Sequence, residues 1–351
     1  MHDINKALIN WYFQNKRELP WRNTTDPYIV WVSEIILQQT RVDQGIGYFY
    51  RFIKKYPDIK TLAKAPIDDV LKLWQGLGYY SRARNMHFTA NTILNNYSGK
   101  FPAQFGEIKK LKGIGEYTAA AIASFCFNEP IPVVDGNVYR FIARFFGVFE
   151  STQSASGKKI FLDKCKLIID TENPGIFNQA IMEFGALQCK AKNPDCTLCP
   201  FRHTCYALLN NCIEQLPSKK NKIKTSNRHF NYLFIQYNDK IFLEQRKKDD
   251  IWKLLYQFPL IETVEQLKAE EIAKHKIWKK MFEGAEFEIQ NISKLYKHQL
   301  SHQKIFARFY KIKIDKISPC FLKKYLVVNK QDINKYGIPR LIDKYLNDIK
   351  M

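Results

Sequence analysis

Two carboxylates in contrasting surroundings are the residues of this sequence best suited to chemistry. Glu34 interrupts an apolar run from Tyr28 to Thr40, and Asp135 directly precedes a helical pattern. Apolar burial raises the pKa of a carboxyl, whereas the amides at a helix start stabilise the ionised form and lower it. Carboxyls with pKa values pushed apart suit an acid paired with an anionic stabiliser or nucleophile, as in glycosidic bond cleavage. The alternative is a Glu34 on the polar edge of a helix and an Asp135 that only caps.

Four cysteines lie close together, with six, two and five residues between successive members: Cys189, Cys196, Cys199 and Cys205. In a reducing compartment such thiols indicate a metal site rather than disulfides. Zinc sites more often use two separate Cys-x-x-Cys pairs, and only Cys196 and Cys199 have that spacing. An iron-sulfur cluster held by four thiolates fits at least as well. The remaining thiols are isolated and are predicted to be structural, namely Cys126, Cys165, Cys212 and Cys320.

A glycine hairpin is the third signal. Gly113 and Gly115 stand one residue apart and precede an alanine-rich helical stretch. Such glycines allow a tight turn, and the free amides of the following helix can bind a phosphate. The pattern predicts a helix-hairpin-helix over about residues 105–125, which holds a nucleic-acid backbone without reading its sequence. A simple glycine turn between packed helices is the alternative.

The elements that must position these residues change character along the chain. Apolar residues at helical spacing predict an all-α region over residues 1–213, which carries a cysteine loop at 189–205. A basic, proline-containing linker is predicted at 214–227. Beyond it, residues 228–351 are predicted to be α+β, with a hairpin turning at Asn238-Asp239 and a second strand pair within 295–314.

Composition fits a nucleic-acid partner. The 351 residues carry a formal net charge of +21, with 46% hydrophobic residues, enough for about two domains. Such a basic excess favours polyanions, although lysines spread over solvated faces are the alternative. No apolar run reaches the ~20 residues of a membrane span, and the start of the sequence lacks the layout of a secretory signal. We therefore expect no membrane partner and a cytoplasmic protein.

Taken together, these motifs resemble the MutY-type adenine DNA glycosylases of the helix-hairpin-helix superfamily over nearly the whole chain. The resemblance is carried by the motif from Trp31 to Thr40, the turn from Gly76 to Tyr80, the hairpin, Val134 to Val138 and the cysteine spacing. It implies a two-lobed all-α core with a [4Fe-4S] cluster on the four cysteines, and an α+β Nudix-like C-terminal domain. It also implies a monomer, nucleoid-associated in a bacterium, that removes adenine paired with 8-oxoguanine or guanine in double-stranded DNA.

The resemblance also implies roles for individual residues. Glu34 is expected to protonate the flipped adenine, and Asp135 to stabilise the oxocarbenium ion or form its covalent adduct, supported by Tyr117 and Asn137. Gln39 is expected to fill the vacated stack. The other expected DNA-contacting residues are Trp21 and Arg22 in the pocket wall, Gln38 and Thr40 in the first motif, Gly76, Tyr79, Tyr80 and Arg82 at the turn, Gly113 and Gly115 in the hairpin, and Ser301 and His302 at the lesion.

Three positions bear on how far the resemblance extends. Relatives resembling endonuclease III place a lysine where Tyr117 stands, and a tyrosine cannot form a Schiff base. We therefore expect a monofunctional enzyme, although Lys110 and Lys112 could give weak strand cleavage. Lys112 also replaces the proline usual in this hairpin, and Leu300 replaces the phenylalanine of the family's Phe-Ser-His element. Ser301 keeps its hydrogen-bonding capacity toward the lesion.

Two other classes of function are alternatives. A Nudix hydrolase fused to a DNA-binding module would need clustered glutamates with an arginine to hold metal ions, and residues 257–291 offer only the pair Glu270 and Glu271. A non-catalytic iron-sulfur DNA-binding protein would have no use for both Glu34 and Asp135. The retained carboxylates therefore favour the glycosylase.

Overall fold

The computed structural model describes residues 2–218, 225–283, 285–317 and 319–351. It divides into two compact units, one formed by Met1–Lys64 with Asn85–Asn221 and the other by Ala65–Arg84 with Lys222–Met351. Of the predicted basic linker, residues 219–224 lie outside the described part of the chain. No helix in that described part is long and apolar enough to cross a membrane.

The first unit is all-α, as predicted. Its helices are α1 (His2–Asn15), α2 (Pro27–Leu37), α3 (Val42–Lys55), α4 (Ile59–Lys64), α6 (Ser81–Asn96, entering this unit at Asn85), α7 (Phe105–Lys110), α8 (Glu116–Phe127), α9 (Gly136–Phe146), α10 (Ala155–Ile168), α11 (Pro174–Leu187) and α12 (Tyr206–Leu209), followed by a 3₁₀ turn at Ile213–Gln215. Helix α2 ends at Leu37 and α3 begins at Val42, so residues 38–41 interrupt the helical pattern. Helices α7 and α8 confirm the predicted helix-hairpin-helix.

Two packing arrangements position the site in the first unit. Helix α8 packs against both α2 and α11, and its run of buried small side chains, Ala119 to Ala121, permits close approach. Helix α9 packs against α11 through large apolar side chains, with Phe141 and Phe184 in an edge-to-face contact at 5.1 Å. Both contacts bury apolar area, which stabilises the fold and fixes the N-termini of α8 and α9.

The second unit contains a mixed eight-stranded sheet. Its strands are β1 (Ser226–Tyr237), β2 (Lys240–Gln245), β3 (Tyr256–Gln257), β4 (Leu260–Thr263), β5 (Phe287–Ile292), β6 (Tyr296–Gln299), β7 (Gln303–Ile314) and β8 (Leu326–Asn329). The long strands β1 and β7 pair in parallel at the centre, and short strands pair antiparallel with them on either side. The pairs β1–β2 and β6–β7 confirm both predicted strand pairs.

Helices complete the second unit on and beside the sheet. They are α5 (Ile67–Leu73), α13 (Lys276–Met281), α14 (Pro319–Lys324) and α15 (Arg340–Asp348), with 3₁₀ turns at Ala269–Lys274 and Lys330–Lys335. Tyr345 of α15 stacks on Phe309 of β7 with ring centroids 4.0 Å apart. Helix α5 belongs to the segment Ala65–Arg84, which lies within the predicted helical core in sequence but packs with the sheet unit.

Candidate active site

A cavity of about 860 Å³ opens in the first unit, where α2, α8, α9 and α11 meet the loop that precedes α2. Both predicted catalytic carboxylates line it, together with the expected residues Tyr117 and Asn137. Other predicted site residues on its wall are Trp21, Arg22, Gln38, Gln39 and Thr40. Residues as far apart in sequence as Trp21 and Asn137 therefore line one cavity.

Glu34 lies on α2 with only 7% of its surface exposed. Burial raises the pKa of its carboxyl from 4.5 to about 7, the direction predicted from the sequence. The nearby Asp135 carboxylate also raises this pKa, while a hydrogen bond donated by the Tyr117 hydroxyl lowers it. Glu34 can therefore carry a proton near neutral pH while its orientation is held by Tyr117.

Asp135 is the N-cap of α9, as predicted. Its Oδ1 accepts hydrogen bonds from the amides of Asn137 and Val138, each at 2.8 Å, and its Oδ2 accepts one from Asn137 Nδ2 at 2.7 Å. The predicted lowering of its pKa is wrong, because burial raises the pKa of this carboxyl more than the three hydrogen bonds lower it. The sequence reveals the cap but not how deeply the cap is buried.

Arg140 links this carboxylate to the cysteine loop and was not predicted. Its Nη2 donates to Asn137 Oδ1 at 2.8 Å and also to the Gly185 carbonyl, while its Nε donates to the Cys189 carbonyl at 2.7 Å. Arg140 lies three residues after Asn137 on α9, a spacing at which helical side chains meet, and that spacing is the only sequence signal for its role. The Asn137 side chain is therefore held from both sides.

Glu183 on α11 is a second residue that sequence reasoning missed. Arg17 and Arg22 each donate two side-chain hydrogen bonds to its carboxylate, at 2.6 to 3.0 Å. Burial alone would raise the pKa of Glu183, but these bonds bring it down to about 2. Nothing in the apolar pattern around Glu183 predicts that the two arginines fold onto it. The cavity wall near Arg22 is fixed by this network.

The segment after α2 carries the remaining residues of the first motif. Gln38 donates to Thr118 Oγ1 at 3.3 Å, and the Thr40 amide donates to the Leu37 carbonyl. Gln39 is exposed and has a φ of 57°, a backbone conformation uncommon for residues with a side chain. Trp21 is buried, with its ring 5.1 Å from that of Phe49. Gln39 is therefore displayed on the rim, whereas Trp21 forms part of the wall.

The hairpin between α7 and α8 combines a glycine turn with a helix start that has no side-chain cap. Gly113 has a φ of 81°, and a side chain there would clash with Asn85 at 2.6 Å. Gly115 is the N-cap of α8 and offers no side-chain cap, and the space where its Cβ would stand is open. Helix α8 therefore begins in an exposed turn without a side-chain cap from Gly115, which is typical of an anion site.

The turn from Gly76 to Tyr80 lies in the second unit. Gly76, Gly78 and Tyr79 have φ values of 98°, 74° and 46°, and Tyr79 is 49% exposed whereas Tyr80 is buried. Arg82 is also buried, and its Nη2 donates to the Leu77 and Gly78 carbonyls at 3.3 and 3.2 Å. The Arg82 guanidinium therefore stabilises the turn through two hydrogen bonds to its backbone. The predicted contact of Arg82 with DNA stays a prediction.

Ser301 and His302 lie together in the exposed turn between β6 and β7. The Tyr79 hydroxyl and Ser301 Oγ are 2.6 Å apart in a hydrogen bond. The backbone carbonyl of His302 accepts from the Ser226 amide at 3.1 Å, which ties the turn to the start of β1. Two predicted contact regions, far apart in sequence, therefore meet in this unit.

The four cysteines of the loop line one small, apolar cavity beside α9. Arg144 donates from Nη1 to Cys189 Sγ at 3.5 Å and to the Lys190 carbonyl at 2.7 Å. Among the described residues, no group of three or more His, Cys, Asp or Glu side chains stands ready to hold a metal ion. The thiols thus share a cavity with a guanidinium at its edge.

Known proteins resemble both parts of the chain. Residues 32–165 match the family described as HhH-GPD superfamily base excision DNA repair protein, and residues 231–348 match the NUDIX domain. The adenine DNA glycosylase of Buchnera aphidicola subsp. Baizongia pistaciae is 37% identical over 98% of this chain and 96% of its own length. The enzyme of the same name from Homo sapiens is 38% identical over 57% of this chain and 38% of its own.

Solved structures match the helical part. A thermostable thymine-DNA glycosylase is 26% identical with a TM-score of 0.56, covering 60% of this chain and 96% of that one. Endonuclease III trapped as a covalent intermediate with DNA is 22% identical with a TM-score of 0.51, covering 60% of this chain and 97% of that one, a likeness of fold alone. The similarity to the Buchnera aphidicola enzyme, by contrast, extends over nearly the full length of both chains. The chain therefore belongs to the adenine DNA glycosylases, base-excision repair enzymes that join a helix-hairpin-helix core to a Nudix-like domain.

Proposed function

We propose that this enzyme hydrolyses the N-glycosidic bond of adenine mispaired with 8-oxoguanine or guanine in double-stranded DNA, and leaves an abasic site. The observation that carries this proposal is the buried Glu34 carboxyl, with a pKa of about 7, in the same cavity as Asp135. A carboxyl that holds its proton and a second carboxylate beside it are the two groups that glycosidic cleavage requires.

Adenine must leave the duplex before it can react. Extrusion of the nucleotide costs a few kcal/mol, and a cavity of about 860 Å³ can receive the flipped base. Gln39, exposed on the rim with its left-handed backbone, fills the vacated place in the stack. Trp21 and Arg22 form the wall, and Glu183 keeps Arg22 in place through two hydrogen bonds.

Glu34 acts as the general acid in the cleavage step. It donates its proton to a ring nitrogen of the flipped adenine, which makes the base a better leaving group. The hydrogen bond from Tyr117 keeps the carboxyl oriented toward the cavity. Asp135 then stabilises the cation-like sugar, or bonds to it, because its carboxylate is held by Asn137 and the first amides of α9.

The enzyme releases the base without cutting the strand. Tyr117 carries a phenol, which cannot form an imine with the opened sugar. Among the described residues that line the cavity, Lys158 supplies the only primary amine. Lys110, which pairs with Glu107 at 2.6 Å, and Lys112, whose ammonium lies 4.4 Å from the Phe88 ring, are not among the described residues that line the cavity.

The base opposite adenine is read in the second unit. Tyr79 offers an exposed aromatic ring for stacking, and its partner Ser301 offers a hydroxyl for the edge of the lesion. His302, in the same exposed turn, completes this surface. The hairpin amides behind Gly115, with Gly113 shaping the turn, hold the phosphate backbone.

The four cysteines are proposed to hold a [4Fe-4S] cluster. Four thiols on one apolar cavity match the ligand set of such a cluster, and the Arg144 guanidinium provides a positive charge and an N–H donor beside one sulfur. When bound, the cluster supplies covalent bonds that fix the loop from Cys189 to Cys205. Iron and acid-labile sulfide in a 1:1 ratio, at about four of each per chain, would support this assignment. Zinc alone would refute it.

The enzyme is further proposed to act as a monomer on the bacterial nucleoid, since one cavity and one hairpin within a single chain are enough to engage one mispair.

The catalytic proposal is tested by single-turnover cleavage of duplexes that carry adenine opposite 8-oxoguanine, guanine or thymine. Each reaction is divided and analysed with and without alkali. We expect fastest release opposite 8-oxoguanine and strand breaks only after alkali. Breaks without alkali would refute the monofunctional mechanism, and equal rates on the three duplexes would refute the lesion preference.

A further inference from the structure

The segment Ala65–Arg84, here called the arm, belongs to the second unit. Several of its apolar side chains are buried, including Val70, Leu71 and Trp74. Gly337 lies so close to α5 that an added Cβ would stand 3.5 Å from the backbone of Leu71. The arm therefore packs closely against other residues of this unit.

Asp68 makes the first polar attachment. Its Oδ1 accepts a hydrogen bond from Gln245 Nε2 at 3.1 Å, and its Oδ2 accepts one from the Tyr256 hydroxyl at 2.9 Å. Gln245 of β2 and Tyr256 of β3 are directly opposite each other in the register of these two strands. Cross-strand neighbours of this kind lie close enough for one carboxylate to bridge them. Asp68 thus binds the β2–β3 hairpin at a single place.

Arg84 attaches the other end of the arm to the same hairpin. Its Nη1 donates to the Lys253 carbonyl, in the loop between β2 and β3, at 3.0 Å. Between these two ends, Lys72 donates to the Tyr336 carbonyl at 3.2 Å, and Gln75 Nε2 donates to Asp343 at 3.4 Å. The arm is therefore held before and after the turn that carries Tyr79.

The turn itself is stiff. Trp74 Nε1 donates to the Gly78 carbonyl at 3.1 Å, and the buried Arg82 guanidinium lies 5.3 Å from the Trp74 ring and 5.6 Å from the Tyr79 ring. Displacement of α5 would consequently move Tyr79 as well. The Tyr79 hydroxyl meets Ser301 at 2.6 Å, a distance that tolerates little movement.

The β2–β3 hairpin also contacts the strand that leads to Ser301. Trp252, in its loop, packs against His298 of β6 with ring centroids 5.7 Å apart. Ser301 follows at the end of β6. The β2–β3 hairpin therefore supports both partners of the Tyr79–Ser301 hydrogen bond. It contacts the arm, which carries Tyr79, through Asp68 and Arg84. It contacts β6, which leads to Ser301, through Trp252.

We propose that Asp68 and Arg84 are positioning residues that hold Tyr79 against Ser301, and that this attachment sets the discrimination between 8-oxoguanine and guanine opposite adenine. The inference rests on the proposed lesion-reading role of Tyr79 and Ser301. Neither positioning residue needs to touch DNA. Their effect is to keep a stacking ring and a hydrogen-bonding hydroxyl at a fixed separation, so that the edge of the opposite base is compared with a rigid surface.

The test compares Asp68→Asn with Asp69→Asn. Both variants remove one negative charge from adjacent positions of α5, but Asp69 is exposed and lies off the bridge to Gln245 and Tyr256. Single-turnover rates are measured for adenine opposite 8-oxoguanine and opposite guanine. We expect Asp68→Asn to reduce the ratio of these rates by about three- to tenfold, the effect of weakening hydrogen bonds to a charged group, and Asp69→Asn to leave it within about twofold.

Tyr256→Phe is the second variant, because it removes one hydrogen bond and leaves every charge in place. We expect an intermediate loss of discrimination, and less than additive losses in the double variant with Asp68→Asn, since both changes break the same bond. Thermal unfolding checks that each variant is folded. An unchanged ratio in folded Asp68→Asn and Tyr256→Phe would overturn the positioning role alone. A wild-type enzyme that does not prefer 8-oxoguanine would instead refute the proposed lesion preference and this inference together.

Discussion

Replacing Glu34 by Gln should make the protein more stable at pH 8 while it abolishes adenine excision. The Glu34 carboxyl is almost fully buried, and burial raises its pKa from 4.5 to about 7. Above pH 7 the folded protein must therefore keep an ionised group in apolar surroundings. Gln has nearly the same shape and can still accept the hydrogen bond from Tyr117, but it carries no charge.

The size of the effect follows from the shift in pKa. Between about pH 4.5 and pH 7 the folded state binds the Glu34 proton more tightly than the unfolded state does, so the free energy of unfolding falls as pH rises. The rise in pKa from 4.5 to about 7, at about 1.36 kcal/mol per unit, gives a loss of about 3 kcal/mol that is complete above pH 7. The gain from Glu34→Gln should thus be about 3 kcal/mol at pH 8 and about 1 kcal/mol or less at pH 5.

Urea unfolding of wild type and Glu34→Gln at pH 5 and pH 8 measures this difference. Glu183→Gln is the matched control, because Glu183 lines the same cavity but its pKa is brought down to about 2 by Arg17 and Arg22. That variant should be destabilised at pH 8, since both guanidinium groups lose their ionised partner. The reasoning about Glu34 fails if Glu34→Gln has no added stability at pH 8, or if its gain is the same at both pH values.

Two further outcomes are expected. The single-turnover rate of adenine excision should fall about tenfold per pH unit above pH 7, because only protonated Glu34 is the acid. A rate that rises over this pH range would show that Glu34 acts as a base. Gly113 has a φ of 81° and faces Asn85, so Gly113→Ala should lower the free energy of unfolding by at least about 1 kcal/mol. Gly115 lies in open space, so Gly115→Ala should change the free energy of unfolding by less than about 0.5 kcal/mol but weaken duplex binding in filter assays. Equal stability of the two variants would contradict this account.

Local pattern was sufficient wherever the chemistry depends on neighbours in sequence. The helical spacing around Glu34, the glycines at 113 and 115 and the capping position of Asp135 each gave the correct element, because hydrogen bonds within a turn or a helix end are decided by nearby residues. The turn residues at Asn238 and Asp239 gave the correct strand pair for the same reason.

Burial of side chains and hydrogen bonds between residues far apart in sequence could not be predicted from local sequence patterns. The pKa of Asp135 is raised because its carboxyl is buried, and a cap motif reports hydrogen bonds but not burial. Glu183 became part of the site only when Arg17 and Arg22, more than 150 residues away, folded onto it. The arm gave no sign in sequence that it belongs with the sheet.

The sequence by itself determined the chemical groups of this protein: a carboxyl in an apolar helix, a capped aspartate, a glycine hairpin, four thiols and a tyrosine in place of an amine. Tertiary structure alone decided which of these groups share a cavity, how strongly each carboxyl holds its proton, and which segment supports Tyr79 beside Ser301. The physical reason is that residue type and local spacing fix conformation and donor chemistry. Desolvation and distant hydrogen bonds, by contrast, depend on what the rest of the chain packs against each group.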